Sequence, residues 1–359
     1  MKIVIDGSIF ELDGRGIAKS TIGLYKTIME LFPKTKLYIL QKKDFVCDFD
    51  VPGVQKIVAE NMSEEDALNN FFKKKIKEIE PDVIHFPFNG NLVERFQKCK
   101  AKKVSTIHDI IPAMVPNFWN MSKQDVENYI DDVKRKIALS DIVLADSDAS
   151  KKDIAKKCGY TESEIIYWAP FLDNKYRYEN KYGKYFLYNG GFCPRKGIEI
   201  LIDNFLQLKF SGQLESNLVL TGSFVGFSEK LKPLIEYGKQ RGWIIDLGYV
   251  SDEELIGLFQ NAVALGYLSA YEGFGMPPLE ALNQGCPVIT CKNSSLPEVC
   301  GNAAVYVDRN DDDSVQNALL QMEQDEKLRD ILIKNGKKQA AKFTWKKTAQ
   351  QFMNTITKG

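Results

Sequence analysis

Two carboxylates, Glu272 and Glu280, stand with seven residues between them in the stretch Ser269-Ala-Tyr-Glu-Gly-Phe-Gly-Met-Pro-Pro-Leu-Glu-Ala-Leu-Asn-Gln-Gly-Cys-Pro287. Gly273 and Gly275 let the backbone turn where a Cβ would clash, so that the N–H groups of Gly273, Phe274 and Gly275 can face a ligand. Pro277 suits the first position of a helix, where a missing N–H costs nothing. That helix carries Leu279 and Glu280, while Glu272 lies on the loop before it. A glycine loop at a helix N-terminus favours an anion, and flanking carboxylates accept hydrogen bonds from hydroxyl-rich groups. The matching ligand has phosphates in the middle and sugars at both ends.

A second chemical cluster lies upstream in Tyr188-Asn-Gly-Gly-Phe-Cys-Pro-Arg-Lys-Gly197. It follows a strand and opens a helix, with Gly190 in the loop. Arg195 offers a planar fork for phosphate oxygens and Lys196 a compact point charge. Hydrogen bonds to charged groups contribute roughly 1.5–3 kcal/mol each, enough for two such residues to dominate the holding of a diphosphate. Idle cations at a helix start would oppose the macrodipole. Both histidines, His85 in Val-Ile-His-Phe-Pro87 and His108 in Thr106-Ile-His-Asp-Ile-Ile-Pro112, close strands. His85 is read as structural.

Strand and helix patterns alternate along the elements that must position these groups. The strands of the first half are Ile3–Ile5, Lys36–Leu40, Val54–Val58, Asp82–Phe86, Lys103–His108 and Ile142–Ala145. Helices run from the glycine loop Asp13-Gly-Arg-Gly-Ile17 to about Leu31, from Ser63 to Glu78 with Asn61 or Ser63 as cap, and from about Ser122 to Ser140; Ser147 or Asp148 caps a fourth. The pattern lapses between Ala169 and Lys184, marked by Pro170, Asp173, Asn174, Asn180 and Gly183, as a linker would. It resumes with Tyr185–Tyr188, Leu218–Leu220, Ile244–Ile245, Val263–Leu268, Pro287–Thr290 and Ala304–Val307, and from about Glu326 the chain is helical. Such alternation implies α/β architecture: parallel sheets covered on both faces, with ligands outside the carboxyl ends of the strands.

The chain has 359 residues, enough for two domains. Lysine plus arginine and aspartate plus glutamate number 48 each, so overall charge makes no case for a nucleic-acid partner. No apolar run approaches the roughly 18 residues that cross a bilayer, and Met1–Ile5 reads as a first strand, so the expectation is a cytoplasmic protein. The seven cysteines are scattered and read as reduced, buried thiols. Of the Asp-x-Asp pairs, Asp48/Asp50 lies in a loop-like acidic segment and Asp146/Asp148 looks like a helix cap; neither is read as a metal site. Lys73–Lys75 with Lys98, Lys100, Lys102 and Lys103 form basic runs, read as solvated faces or, alternatively, as a patch against the anionic lipid of a membrane's inner face.

The run Glu272-Gly-Phe-Gly-Met-Pro-Pro-Leu-Glu280 with Gly285-Cys-Pro287 resembles the donor-site motif of the retaining group 1 glycosyltransferases, the GT4 family. The resemblance extends along most of the chain. It implies a GT-B fold: two Rossmann-like, doubly wound domains facing a cleft, residues 1–175 on the acceptor side and 184–340 on the nucleotide-sugar side, with a C-terminal helix over 345–359 crossing back to the first domain. It also implies roles. Arg195 and Lys196 hold the diphosphate and stabilise it as leaving group, Glu280 takes the ribose hydroxyls, and Glu272 lies near the donor sugar. His108, in a histidine–aspartate step with Asp109, reaches the same sugar. Gly14 and Gly16 bring backbone close to donor phosphate or acceptor, Lys19 replacing the arginine of many relatives. Gly190, Gly222, Tyr249, Val250, Gly273, Phe274, Gly275 and Leu279 complete the nucleotide-binding set, Phe274 being equally suited to a core. Leu268 stands where relatives often carry proline.

The activity so implied is transfer of a hexosyl residue from a GDP- or UDP-sugar to a glycan or polyprenol-linked glycan in surface polysaccharide assembly. Anomeric configuration is retained by front-face attack, with no metal or other cofactor. Two further classes were weighed. A non-catalytic partner that keeps the nucleotide-sugar pocket is disfavoured by the joint presence of His108, Arg195, Lys196, Glu272 and Glu280. A dinucleotide-dependent oxidoreductase needs Gly-x-Gly-x-x-Gly directly after a strand, and Gly14 and Gly16 follow too late, with no third glycine in place.

Overall fold

A computed structural model describes residues 1–11, 16–42, 51, 53–59, 62, 65–90, 92–172, 177–223 and 231–358. The chain divides into two compact units, Met1–Phe171 with Phe343–Gly359, and Leu172–Lys342. In the first, the order is β1 (Lys2–Asp6), α1 (Gly16–Leu31), β2 (Lys36–Gln41), β3 (Gln55–Val58), α2 (Glu65–Ile79), β4 (Val83–Phe86), β5 (Lys102–Ile107), α3 (Ile111–Met114), α4 (Lys123–Ala138), β6 (Ile142–Ala145), α5 (Asp148–Cys158) and β7 (Glu164–Ile165). The second contains β8 (Tyr185–Asn189), α6 (Ile198–Phe210), β9 (Asn217–Thr221), α7 (Leu231–Gln240), β10 (Ile244–Asp246), α8 (Asp252–Asn261), β11 (Leu265–Tyr267), α9 (Met276–Gln284), β12 (Val288–Cys291), α10 (Leu296–Cys300), β13 (Ala304–Val307), α11 (Asp312–Gln324) and α12 (Glu326–Ala340). The last helix, α13 (Trp345–Thr357), belongs to the first unit.

Among the described residues the strand orders are β3-β2-β1-β4-β5-β6-β7 and β10-β9-β8-β11-β12-β13. Neighbouring strands are parallel, for example Ile3 opposite Leu37 and Leu187 opposite both Val219 and Leu265. Parallel strands covered by helices on both faces must be apolar throughout, and β4 and β12 are buried at every position. Each order reverses once, at β1/β4 and at β8/β11, and ligands bind outside the carboxyl ends of the strands at such reversals. The short strand β7 was not expected from sequence: two residues carry too little periodicity to read.

Local chemistry sets several element ends. Ser122 caps α4 in a reciprocal box with Asp125. Between the two cap candidates of α5, the hydroxyl of Ser147 accepts from Ser150 N. The expected caps Asn61 and Ser63, like Gly14, Asp48 and Asp50, lie outside the described residues.

The helix α13 is tied to its unit by Trp345 Nε1 donating to Pro170 O at 3.0 Å and Thr348 Oγ1 to Tyr167 O at 2.7 Å. Lys102 Nζ donates to Ile356 O and Lys358 O at the helix C-terminus, where a cation meets the negative end of the dipole. Phe352 from α13 packs edge-on against the rings of Tyr25 and His85.

His85 is fully buried and structural, as read from sequence. Its Nδ1 pairs with Tyr25 OH and its Nε2 with Thr106 Oγ1, each at 2.8 Å. Hydroxyls can donate or accept, so they satisfy a neutral ring. Burial pulls the imidazole down to about 3, with the neighbouring charge of His108 adding to the effect. An unfolded chain protonates this ring below about 6.5 while the folded chain does not until about 3. The stability that His85 contributes is therefore lost as pH falls through that window. Melting temperatures at pH 7 and pH 4.5 should fall less steeply for His85→Gln than for the native chain; equal slopes would disprove the assignment.

Candidate active site

In the second unit the reversal between β8 and β11 sets two loops side by side. The loop after β8 ends in a single 3-10 turn, Pro194–Lys196, and Gly197 then caps α6. Arg195 and Lys196 thus stand just before the helix. The loop after β11 runs from Leu268 to Gly275 and enters α9. Gly275, at φ 104°, occupies the cap in a backbone region that side chains disfavour. Met276 is consequently the first helical residue and Pro277 the second, one later than expected. The second N–H of a helix is unpaired too, so proline remains without cost there.

The side chains converge on one carboxylate. Lys196 Nζ donates to Glu272 Oε1 at 2.7 Å and to Oε2 at 2.9 Å. Arg195 Nη1 donates to Oε1 at 3.1 Å and also to the carbonyl of Tyr271. Ser269 Oγ and Tyr267 OH add donors to Oε1 at 2.5 Å and 3.0 Å. Tyr267 OH in turn accepts from Lys196 Nζ at 2.7 Å. Glu272 is only 7% exposed. Burial alone would raise its pKa, but the charges of Lys196 and Arg195 outweigh it and hold the carboxyl below its ordinary range. Burial lowers the Lys196 ammonium, with Glu272 opposing and Arg195 reinforcing the shift.

Side chains from two more strand ends brace these loops. After β12, Ser294 Oγ accepts from Glu272 N, Ser295 Oγ donates to the carbonyls of Glu272 and Phe274, and Asn293 Nδ2 donates to Ser269 O. After β13, Arg309 donates to the carbonyls of Arg195 and Pro194 at 3.0 and 3.1 Å. Tyr267, Ser269, Asn293, Ser294, Ser295 and Arg309 were all missed by the sequence reading. Their one available signal was position, immediately at or after a predicted strand end.

Glu280 is 7% exposed and sits in the second turn of α9, so it is not the first-turn acid that dipole pairing alone would select. Phe274 and Leu279 are buried in the core. The Leu279 N–H donates to Gly275 O. Beside this cluster, Gly190, Gly222 and Gly248 bring the ends of β8, β9 and β10 together: Gly190 N donates to Thr221 O and Gly222 N to Gly248 O. Gly222 is at φ 120°, and a Cβ there would collide with Gly190 O. Tyr249, next in the chain, is 77% exposed, and Val250 is half-buried.

The first unit holds His108, directly after β5, while Gly16 is the exposed first residue of α1. His108 Nε2 lies 2.8 Å from Pro87 O and Nδ1 lies 3.4 Å from Asp146 Oδ2. Both ring nitrogens thus face oxygen partners. Burial opposes a charge on the ring, but hydrogen bonding and attraction from Asp146 outweigh it and raise the pKa, while burial raises that of Asp146 itself. Trp168 stacks on the ring at 5.6 Å. Asp109, next in sequence, accepts from Ile111 N at the start of α3. Asp146 reaches the ring because β5 and β6 are neighbours in the sheet and their ends coincide. Asp148 pairs with Lys152 at 2.5 Å, so the two acids of the Asp146/Asp148 pair serve different partners.

Residues 174–339 match the family described as glycosyl transferases group 1. Over 286 residues the chain is 31% identical to O-antigen chain mannosyltransferase B of Escherichia coli, covering 76% of this chain and 74% of that protein. The chain belongs to the group 1 glycosyltransferases. It is also 23% identical to the serotype-specific mannosyltransferase WbdA of Escherichia coli, over 100% of this chain and 48% of that longer protein. HepE of Anabaena, solved in complex with UDP and glucose, superposes with a TM-score of 0.76 at 19% identity over 99% of each chain. That likeness shows the fold, GT-B with two Rossmann-like domains.

The His108–Asp146 pair in this glycosyltransferase can be read directly, because the chain has two histidines. In ring-nitrogen NMR one histidine should titrate above the ordinary value and the other should stay neutral into acid. Asp146→Asn should lower the first, because the main influence opposing burial is removed. An unmoved titration would remove Asp146 as its partner.

Proposed function

We propose that this glycosyltransferase moves a hexosyl residue from a nucleoside-diphosphate sugar to a growing glycan, with retention of anomeric configuration and without a metal. The observation that carries the reading is the placement of Arg195 and Lys196 at the β8/β11 reversal, beside the N-terminus of α9. Charge-assisted donors there suit a diphosphate and the charge that develops on it as leaving group. Glu280 is assigned to the ribose hydroxyls and Glu272 to the donor sugar. The backbone of Gly190, Gly222, Gly273 and Gly275, with Tyr249 and Val250, completes the nucleotide-sugar site of the second unit.

In the reaction, the bond between the anomeric carbon and the β-phosphate oxygen breaks, and an acceptor hydroxyl oxygen bonds to the same face of that carbon. The departing phosphate oxygen takes the hydroxyl proton. The relatives' names favour mannose as the sugar and an O-antigen-type chain as acceptor. GDP- and UDP-sugars are the donors to compare first.

Among the described residues, no helix is long and apolar enough to cross a membrane. Contact with anionic lipid, if a polyprenol-linked acceptor is used, falls to Lys73, Lys74, Lys98 and Lys100, which are exposed. Lys75 pairs with Glu78, Lys102 with the end of α13 and Lys103 with Asp141.

A panel of GDP-, UDP- and dTDP-sugars with a mannan-type acceptor should release nucleoside diphosphate, undiminished by EDTA. Arg195→Ala should lower turnover about 10- to 100-fold, the loss of one or two hydrogen bonds to charge. Full turnover in that variant would remove the diphosphate assignment, and loss on chelation would remove the metal-free mechanism.

A further inference from the structure

The cations assigned to the diphosphate already face an anion of the protein's own. Lys196 reaches both oxygens of Glu272, and Arg195 shares Oε1. The Arg195 and Lys196 side chains are 16% and 18% exposed, and the Glu272 side chain 9%. A doubly charged phosphate group cannot join such a cluster with nothing else moving, since it would stand beside a carboxylate at close range in a poorly solvated site. We propose that Glu272 is a resident counter-ion for Arg195 and Lys196, and that the donor's diphosphate takes over both cations as the carboxylate turns toward the sugar. This rests on the diphosphate reading above and deepens it.

Two details of the cluster fit a replaceable anion. The cations lie on a one-turn element after β8, whereas Glu272 lies on a loop after β11, so the contact joins two loops instead of bracing one. The remaining Glu272 donors, Ser269 and Tyr267, lie on its own loop and strand, where they can hold the carboxylate while the cations are exchanged. Tyr267 OH touches both Lys196 Nζ and Glu272 Oε1, which makes it the positioning residue between the two arrangements.

The alternative is that Glu272 simply anchors its loop, and the two roles predict opposite signs. A resident counter-ion competes with diphosphate, so Glu272→Gln should bind inorganic pyrophosphate, GDP and UDP about tenfold more tightly, one hydrogen bond to charge no longer being exchanged. Its turnover should fall at the same time. A structural anchor would give weaker binding in the same variant. Ser269→Ala, which removes one donor to the carboxylate and keeps the charge, should change diphosphate affinity in the same direction as turnover, never in the opposite direction seen for Glu272→Gln. It remains measurable if Glu272→Gln fails to fold.

Calorimetry on the native chain, Glu272→Gln, Ser269→Ala and Arg195→Ala separates the outcomes. Tighter binding by Glu272→Gln with weaker binding by Arg195→Ala supports the exchange. Equal or weaker binding by Glu272→Gln, with Arg195→Ala still weakened, overturns the exchange and leaves the diphosphate site standing. Affinity unaffected by Arg195→Ala overturns the diphosphate reading itself. If Glu272→Gln does not fold, opposed changes in affinity and turnover for Ser269→Ala overturn the exchange.

Discussion

A carboxylate surrounded by two cations and two hydroxyls, largely shielded from water, is the interaction on which the second unit of this protein depends. Glu272 on its own would be driven toward the neutral acid by burial, and Lys196 toward the neutral amine. Together they form an ion pair at 2.7 Å, and each holds the other in place. Removing one partner of such a pair costs more than the pair contributes, because the survivor is left buried and unmatched. The surrounding loops reflect this. Ser294 and Ser295 take up the backbone of the Glu272 loop, and Arg309 takes up that of the Arg195 turn. The strand ends from β8 to β13 therefore act as one support for a few charged atoms.

The first unit solves a similar problem with opposite consequences for titration. His85 and His108 lie near the ends of adjacent strands, β4 and β5, and both are buried. Burial among hydroxyl partners pulls His85 down, whereas Asp146 and a carbonyl raise His108. The residue type is the same and the depth is similar. Partner chemistry decides the direction in which each ring is shifted.

Much of the fold was legible along the chain. Nearly continuous apolar runs such as Val288–Cys291 mark parallel strands, and glycine before proline in Gly275-Met-Pro277 marks a helix start. Both signals are local. The two-residue β7 and the one-turn 3-10 element at Arg195 were not legible, since neither is long enough to show a period. The Glu272 cluster was legible only as separate halves. Arg195 and Lys196 could be assigned to phosphate and Glu272 to sugar, but nothing in a linear reading joined them. Asp109 was named with His108 because it is next in sequence, whereas Asp146 comes to the ring through strand neighbours.

The sequence by itself determined the family, the alternation of strands and helices, and the residue types available for chemistry, because glycine, proline, charge and apolar runs act over a few residues. Tertiary structure alone decided which charges meet. The reversal between β8 and β11 sets Lys196 against Glu272, residues 76 positions apart in the chain. The adjacency of β5 and β6 sets His108 against Asp146. Electrostatic pairing depends on separations of a few ångströms and on the exclusion of water, and both are properties of packed strand ends that spacing along a chain does not encode.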